Sequence, residues 1–225
     1  MLCAAAIGAD VTPPGMIAGP WEALSGGVLV GIHLRIDTVL DGHAESVIRM
    51  QVRVDRVVGK DWGWYVVDGD KSTWDGARLK IDHKDAVVDL IFDGRQQAWT
   101  GRLGSNPAVR LERPLESHDE ITGTWKSVGG PGLTPGCLHA GVRRDGGGLI
   151  VWLDRGFERR YGEELDRLSV FHEEISFGLA NAPHMFHGKL HAKQKIEGSW
   201  EPLLQAPNRF IRSSAEACAS LPMMK

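Results

Sequence analysis

Cysteine is scarce: Cys3, Cys137 and Cys218 are the only three in 225 residues. Three thiols cannot build the disulfide framework of a small secreted domain. Cys137 and Cys218 pair in a secreted form or stay as free thiols in a cytoplasmic one. No Lys/Arg-rich run is present and the net charge is −3, so nucleic acid is not the expected partner. No apolar run nears the roughly 20 residues that a membrane-spanning helix needs. The chain lacks a Gly-x-Ser-x-Gly elbow, a Walker loop, a dinucleotide fingerprint, Cys-x-x-Cys and His-Glu-x-x-His. These gaps count against classical hydrolase, nucleotide, hydride and zinc-protease chemistry. What they leave is a site assembled from distant strands, with no cofactor expected.

The opening "MLCAAAIGADVTPPG" lacks the Lys/Arg start of a signal peptide. Residues 1–18 read as an N-terminal arm or as the remnant of such a signal. The compartment, cytoplasmic or secreted, stays open. Residues 214–225 read as a C-terminal tail.

Glycine is abundant, at 28 residues, and Asp-Gly occurs at 41–42, 68–69, 75–76, 93–94 and 145–146. Asp-Gly suits the positive φ angles of tight hairpins. Between these turns the chain alternates. In "VGIHLRID" Ile32, Leu34 and Ile36 face one way, and His33, Arg35 and Asp37 the other. "VIRMQVRVDRV" repeats the pattern, and "AVVDLIF", "AVRLE", "LIVWLD" and "LDRLSVF" read likewise. Period two marks half-buried strands. "YGEELDRLSVFHEE" alone has helical character, and its flanks favour strand. The expected fold class is all-β, with antiparallel up-and-down strands.

Gly-x-Trp occurs at Gly19–Trp21, Gly123–Trp125 and Gly198–Trp200. Trp21 aligns with Trp125, His33 with His139, Trp99 with Trp200 and Arg113 with Arg212, each about a hundred residues apart. The chain thus reads as a tandem duplication, with units at 19–115 and 121–213. They form two small barrels or one merged barrel. Trp21, Trp125 and Trp200 are read as plugs closing the ends of a core.

A Gly-x-Trp opening followed by alternating hairpin strands resembles the lipocalin and wider calycin barrels, here in a tandem two-unit form. In that family the tryptophan packs at the closed end under an arginine from the last strand. The resemblance implies such roles for Arg113 and Arg212. The family's Thr-Asp-Tyr is missing and each unit is short. "WTGRLGSNPAVRLERP" and "ITGTW" also resemble β-rich repeats of uncharacterised bacterial proteins. Two-lobed lipocalin-like proteins include cofactor-free cyclases of natural-product pathways, which is an architectural analogy and not an assignment.

The candidate ligand-binding residues are aromatic. "KDWGWYVVDGDKSTW" supplies Trp62, Trp64, Tyr65 and Trp74, and "IVWLD" supplies Trp152. On a strand Trp62 and Trp64 share a face, where they line a cavity or pack as core. His33 and His139 occupy equivalent repeat positions. With Asp37 they are the candidate acid/base groups if their face is the barrel interior, and ordinary surface groups if it is not. In "HMFHGKLH", His184 and His187 face opposite ways on a strand, and His187 and His191 lie roughly 13 Å apart. No metal site is expected there. Glu163–Glu164 and Glu173–Glu174 likewise alternate and make no carboxylate dyad, and Asp68 to Asp70 reads as a turn.

Three functions follow from these residues. The first is binding of an apolar or aromatic small molecule in a Trp-lined cavity. The second is cofactor-free cyclisation or isomerisation in the same cavity, with His33, His139 or Asp37 handling a proton. The third, a structural module, would have no cavity.

Overall fold

A computed structural model of the chain describes residues 12–40, 46–56, 64–67, 71–83, 86–116, 121–128, 136–155, 159–179, 185–201 and 208–219. The chain is all-β. A short helix, α1 (Pro14–Ile17), precedes β1 (Gly19–Ser25), β2 (Val28–Leu40), β3 (Ser46–Arg56), β4 (Trp64–Val66), β5 (Ser72–Trp74), β6 (Arg78–His83), β7 (Ala86–Asp93), β8 (Ala98–Leu103) and β9 (Asn106–Glu112). Then come β10 (Gly123–Ser127), β11 (Cys137–Val142), β12 (Leu149–Arg155), β13 (Arg160–Phe171), β14 (Glu174–Leu179), β15 (Met185–His191), β16 (Lys195–Glu201) and β17 (Asn208–Ser213), and a last helix, α2 (Ala215–Ala219).

Every ladder is antiparallel. From β10 to β17 each strand pairs with the next, and β17 returns to pair with β10. These eight strands form a closed barrel. The first array runs β4–β3–β2–β1–β9–β8–β7–β6–β5. Between β4 and β5 the Ser72 hydroxyl donates to the Val66 carbonyl at 3.1 Å. The arrays join where β13 pairs with β2, Arg160 opposite Asp37 and Tyr161 opposite Ile36.

The alternation explains two cores. In the first, Ile32, Leu34 and Ile36 of β2 meet Met50 and Val52 of β3 around Trp21, Phe92 and Trp99. In the second, Trp125, Leu138, Phe177, Phe186, Trp200 and Phe210 pack together. A fully buried tryptophan withdraws roughly 150–250 Å², or about 5 kcal/mol of transfer free energy. Three described Asp-Gly pairs lie in hairpin turns: Gly76 and Gly146 take the expected positive φ, 100° and 75°, whereas in the 93–97 turn it is Gln97, at 48°, and not Gly94 that does. Asp75 Oδ1 accepts the Ala77 and Arg78 N–H groups, Asp93 Oδ1 those of Arg95 and Gln96, and Asp145 Oδ1 that of Gly147. Asp41–Gly42 and Asp68–Gly69 lie outside the described residues. The ambiguous "YGEELDRLSVF" is strand β13, its outer end paired with β14.

The three Gly-x-Trp stretches are two of one kind and one of another. Trp21 Nε1 donates to Ile17 O at 2.7 Å and Trp125 Nε1 to Ile121 O at 2.8 Å. Arg113 lies 3.9 Å from the Trp21 ring centroid, and Arg212 lies 4.5 Å from that of Trp125. Gly19 and Gly123 take φ of 93° and 111°, and a β-carbon on either would strike the arginine at 2.9 or 2.7 Å. Glycine is required at both. Gly198 has no such φ and, among the described residues, no arginine over its Trp200, which instead packs edge-on to Phe177 and Phe186.

Candidate functional site

Where β1 and β2 meet β12 and β13, the face opposite each core is covered and not open to solvent. On the first array the register aligns Pro20, His33, Arg53 and Trp64 in one cross-strand row. On the second it aligns Thr124, His139, Trp152 and Glu164. His33 lies opposite Pro20 and His139 opposite Thr124, each on the outer face of its strand. Both are buried, at 0% and 6% exposure, because the arrays pack outer face to outer face. The interior-or-surface choice drawn from sequence omitted this third environment. Arg53 pairs with both carboxylate oxygens of Glu164 across the seam, and Glu163 takes Arg155 and Arg35.

A polar chain links the two histidines. His139 Nδ1 lies 3.2 Å from Thr124 Oγ1, and its Nε2 lies 3.1 Å from Asp154 Oδ2. Asp154 Oδ1 accepts the Gly162 N–H at 2.7 Å. The Gly162 carbonyl lies 2.8 Å from His33 Nε2. A carbonyl or a carboxylate at these sites accepts only. Both histidines therefore carry hydrogen on Nε2, and in neutral His139 the Nδ1 lone pair receives the Thr124 hydroxyl. Gly162 makes this possible. Its φ is 72°, and a β-carbon there would sit 2.2 Å from Leu34 O and 2.5 Å from Gly19 N. Only glycine allows β13 to approach β1 and β2 so closely.

The relay opens on a cavity of about 430 Å³ between the arrays. That is within the range of small-molecule sites. Its buried floor is Gly123, Thr124, His139, Ala140 and Trp152, with Arg113 beside them. Its exposed rim includes Arg95, Gln97, Glu116 and Glu216, and α1 and α2 supply Met16 and Ala215. Cys137 and Cys218 form a disulfide, Cα–Cα 5.9 Å, that ties α2 to β11. The pairing left open by sequence is thereby settled. The Trp152 ring stacks on His139 at 5.1 Å and 9°, and Arg113 lies 5.5 Å from its centroid.

No protein-family model, curated protein or solved structure matches the chain.

The residues picked from sequence fall in different places. His139 and Trp152 meet in the cavity. His33 joins the relay from the far side of Gly162, 5.5 Å edge-on to Trp64. Trp64 is exposed on the outer face, with Arg53 over its ring. Tyr65 and Trp74 pack against the first core, Tyr65 near His83 and Trp74 on Trp99. Asp37 is half-buried at the seam, and its Oδ1 has no hydrogen-bond partner among the described residues. Trp62, His184 and Asp68 to Asp70 lie outside the described residues. His187 and His191 are exposed on β15, and no group of three or more His, Cys, Asp or Glu among the described residues is placed to hold a metal. Among the described residues no helix is long and apolar enough to cross a membrane.

Thr124, Asp154 and Arg113 were missed as site residues. Asp154 had a signal: it follows Trp152 by two in "LIVWLD" and shares its strand face. Thr124 had none, because only the β10–β11 register sets it opposite His139.

Proposed function

We propose that the chain is a cofactor-independent isomerase or cyclase that binds a small, largely apolar molecule in the cavity between its strand arrays. The observation that carries this reading is the Thr124–His139–Asp154 relay on the cavity floor beside the Trp152 ring. The Thr124 hydroxyl passes its proton to His139 Nδ1 as it takes one from the substrate, and returns it at another substrate atom. Asp154 holds His139 in the required tautomer and steadies the imidazolium. Trp152 and the cavity walls keep a flexible substrate in one reactive shape. The same reading treats the chain as two tandem lipocalin-like units at 19–115 and 121–213. The doubled Gly–Trp–Arg clamp and the matching histidine rows support it.

The test uses a panel of small aromatic ketones. Tryptophan fluorescence of the wild type should quench saturably, and Trp152→Ala should abolish this while circular dichroism stays native. Solvent deuterium should enter the bound ketone at its α-carbon, and His139→Gln should stop the exchange. Saturable binding with no exchange in any ketone would leave a carrier. No binding at all would remove the cavity as a site.

A further inference from the structure

We infer that the cavity is selective for an anion: its ligand carries a carboxylate, or an enolate of equal charge, set against Arg113. This rests on the cavity being the ligand site. Arg113 stands on the cavity wall at the junction of the two arrays, between the rings of Trp21 and Trp152. Its hydrogen bonds all go to neutral carbonyls: Nη1 to Ala18 O at 2.6 Å and Pro20 O at 3.4 Å, Nη2 to Met16 O at 2.9 Å. Among the described residues no carboxylate lies within ion-pair distance of it. A half-buried cation, held by dipoles and ring faces with no carboxylate at ion-pair distance among the described residues, is electrostatically incomplete.

The surroundings repeat the point. Burial pushes the guanidinium down to about 9, and the Asp154 carboxylate opposes this only from a distance. Arg113 is thus still a cation at neutral pH, and an anion entering the cavity would relieve the cost of holding it. The other side-chain charges on the cavity wall, Arg95, Glu116 and Glu216, are exposed at the rim, where water screens them. The floor offers a hydroxyl, an imidazole and an indole and no negative group. A flat molecule lying along Trp152 would put its charged end at Arg113 and its reacting carbon near Thr124. An enolate is also the species a proton relay produces, so the subsite that binds a carboxylate ground state suits the intermediate too.

Calorimetry on the full chain with 1-naphthoate and 1-naphthamide decides the matter, because the two differ in charge and hardly in shape. The acid should bind at least ten-fold more tightly at pH 7.5. Arg113→Met, checked by circular dichroism, should bring the two probes level. Should that variant unfold, the wild-type ratio alone still decides. Equal binding of both probes by the wild type would overturn the anion subsite and leave the cavity standing. Binding of neither probe would overturn the subsite and the cavity reading together.

Discussion

Replacing Asp154 by asparagine separates charge from shape at the buried relay. Asp154 is 1% exposed and accepts on both oxygens, from Gly162 N–H at 2.7 Å and from His139 Nε2 at 3.1 Å. In Asp154→Asn the side-chain oxygen must stay on Gly162, since an unpaired buried N–H costs about 1–3 kcal/mol. The new amide N–H then faces His139 Nε2, which has to become an acceptor. His139 moves its hydrogen to Nδ1, and Thr124 Oγ1 accepts where it had donated. Every bond survives, so the fold survives. What is lost is the charge-assisted part of two bonds, about 2 kcal/mol. The proton path from Thr124 is closed, and any proton-transfer rate should fall by about 10²–10⁴. Ring-nitrogen NMR of His139 reads the tautomer directly. The wild type should show Nε2–H and the variant Nδ1–H. A wild type already protonated on Nδ1, or a variant that keeps Nε2–H, would refute the relay as built from these distances.

Four other outcomes follow from the same geometry. Gly162→Ala should cost about 3 kcal/mol, because it combines left-handed backbone with a β-carbon 2.2 Å from Leu34 O; urea unfolding measures it. Cys218→Ser opens a link between residues 81 apart, and loop-closure entropy puts the loss on the order of 4 kcal/mol. It also frees the α2 side of the cavity, so probe affinity should drop in calorimetry. Burial pushes the Glu164 carboxyl up, but the hydrogen bond from Arg53 and the charges of His33, Arg53 and Arg143 together more than reverse this and hold it below the usual range. Its contribution is therefore complete above the ordinary carboxylate range and lost as pH falls through the lower folded value, and Glu164→Gln should flatten urea stability against pH below about pH 4.5. Trp64→Ala, on the outer face, should cost about 1 kcal/mol and leave probe binding unchanged.

Much of the architecture was readable because it is local. Ile32, Leu34 and Ile36 announce a strand by alternation alone, and an aspartate before glycine announces its turn by the bonds its own carboxylate can make. The paired clamps were readable for another reason. Gly19 and Trp21 lie in one short stretch, and Arg113 recurs as Arg212 at a matching distance. Gly198-Ser-Trp200 shows the limit of that signal. The same letters carry a different backbone where, among the described residues, no arginine comes to lie over the ring.

The site was less readable, because it is made of register and of packing between distant faces. Alternation set His33 and His139 opposite the apolar side of their strands, left open whether that face is barrel interior or surface, and gave no hint that one outer face would cover the other. That covering is what turns two polar rows into buried chemistry. It depends on Gly162, which a sequence reader sees as one glycine among 28. It lets β13 come close enough for its N–H to reach Asp154 and its carbonyl to reach His33. The aromatic cluster misled for the converse reason: Tyr65 and Trp74 found a core to fill, while Trp152, alone on its stretch, had none on its own face. Its ring was left for the imidazole and the cavity. Where strands pack outer face to outer face, the informative aromatic is therefore the one flanked on its own face by titratable residues, as Trp152 is by Asp154, and not the one in the densest aromatic run.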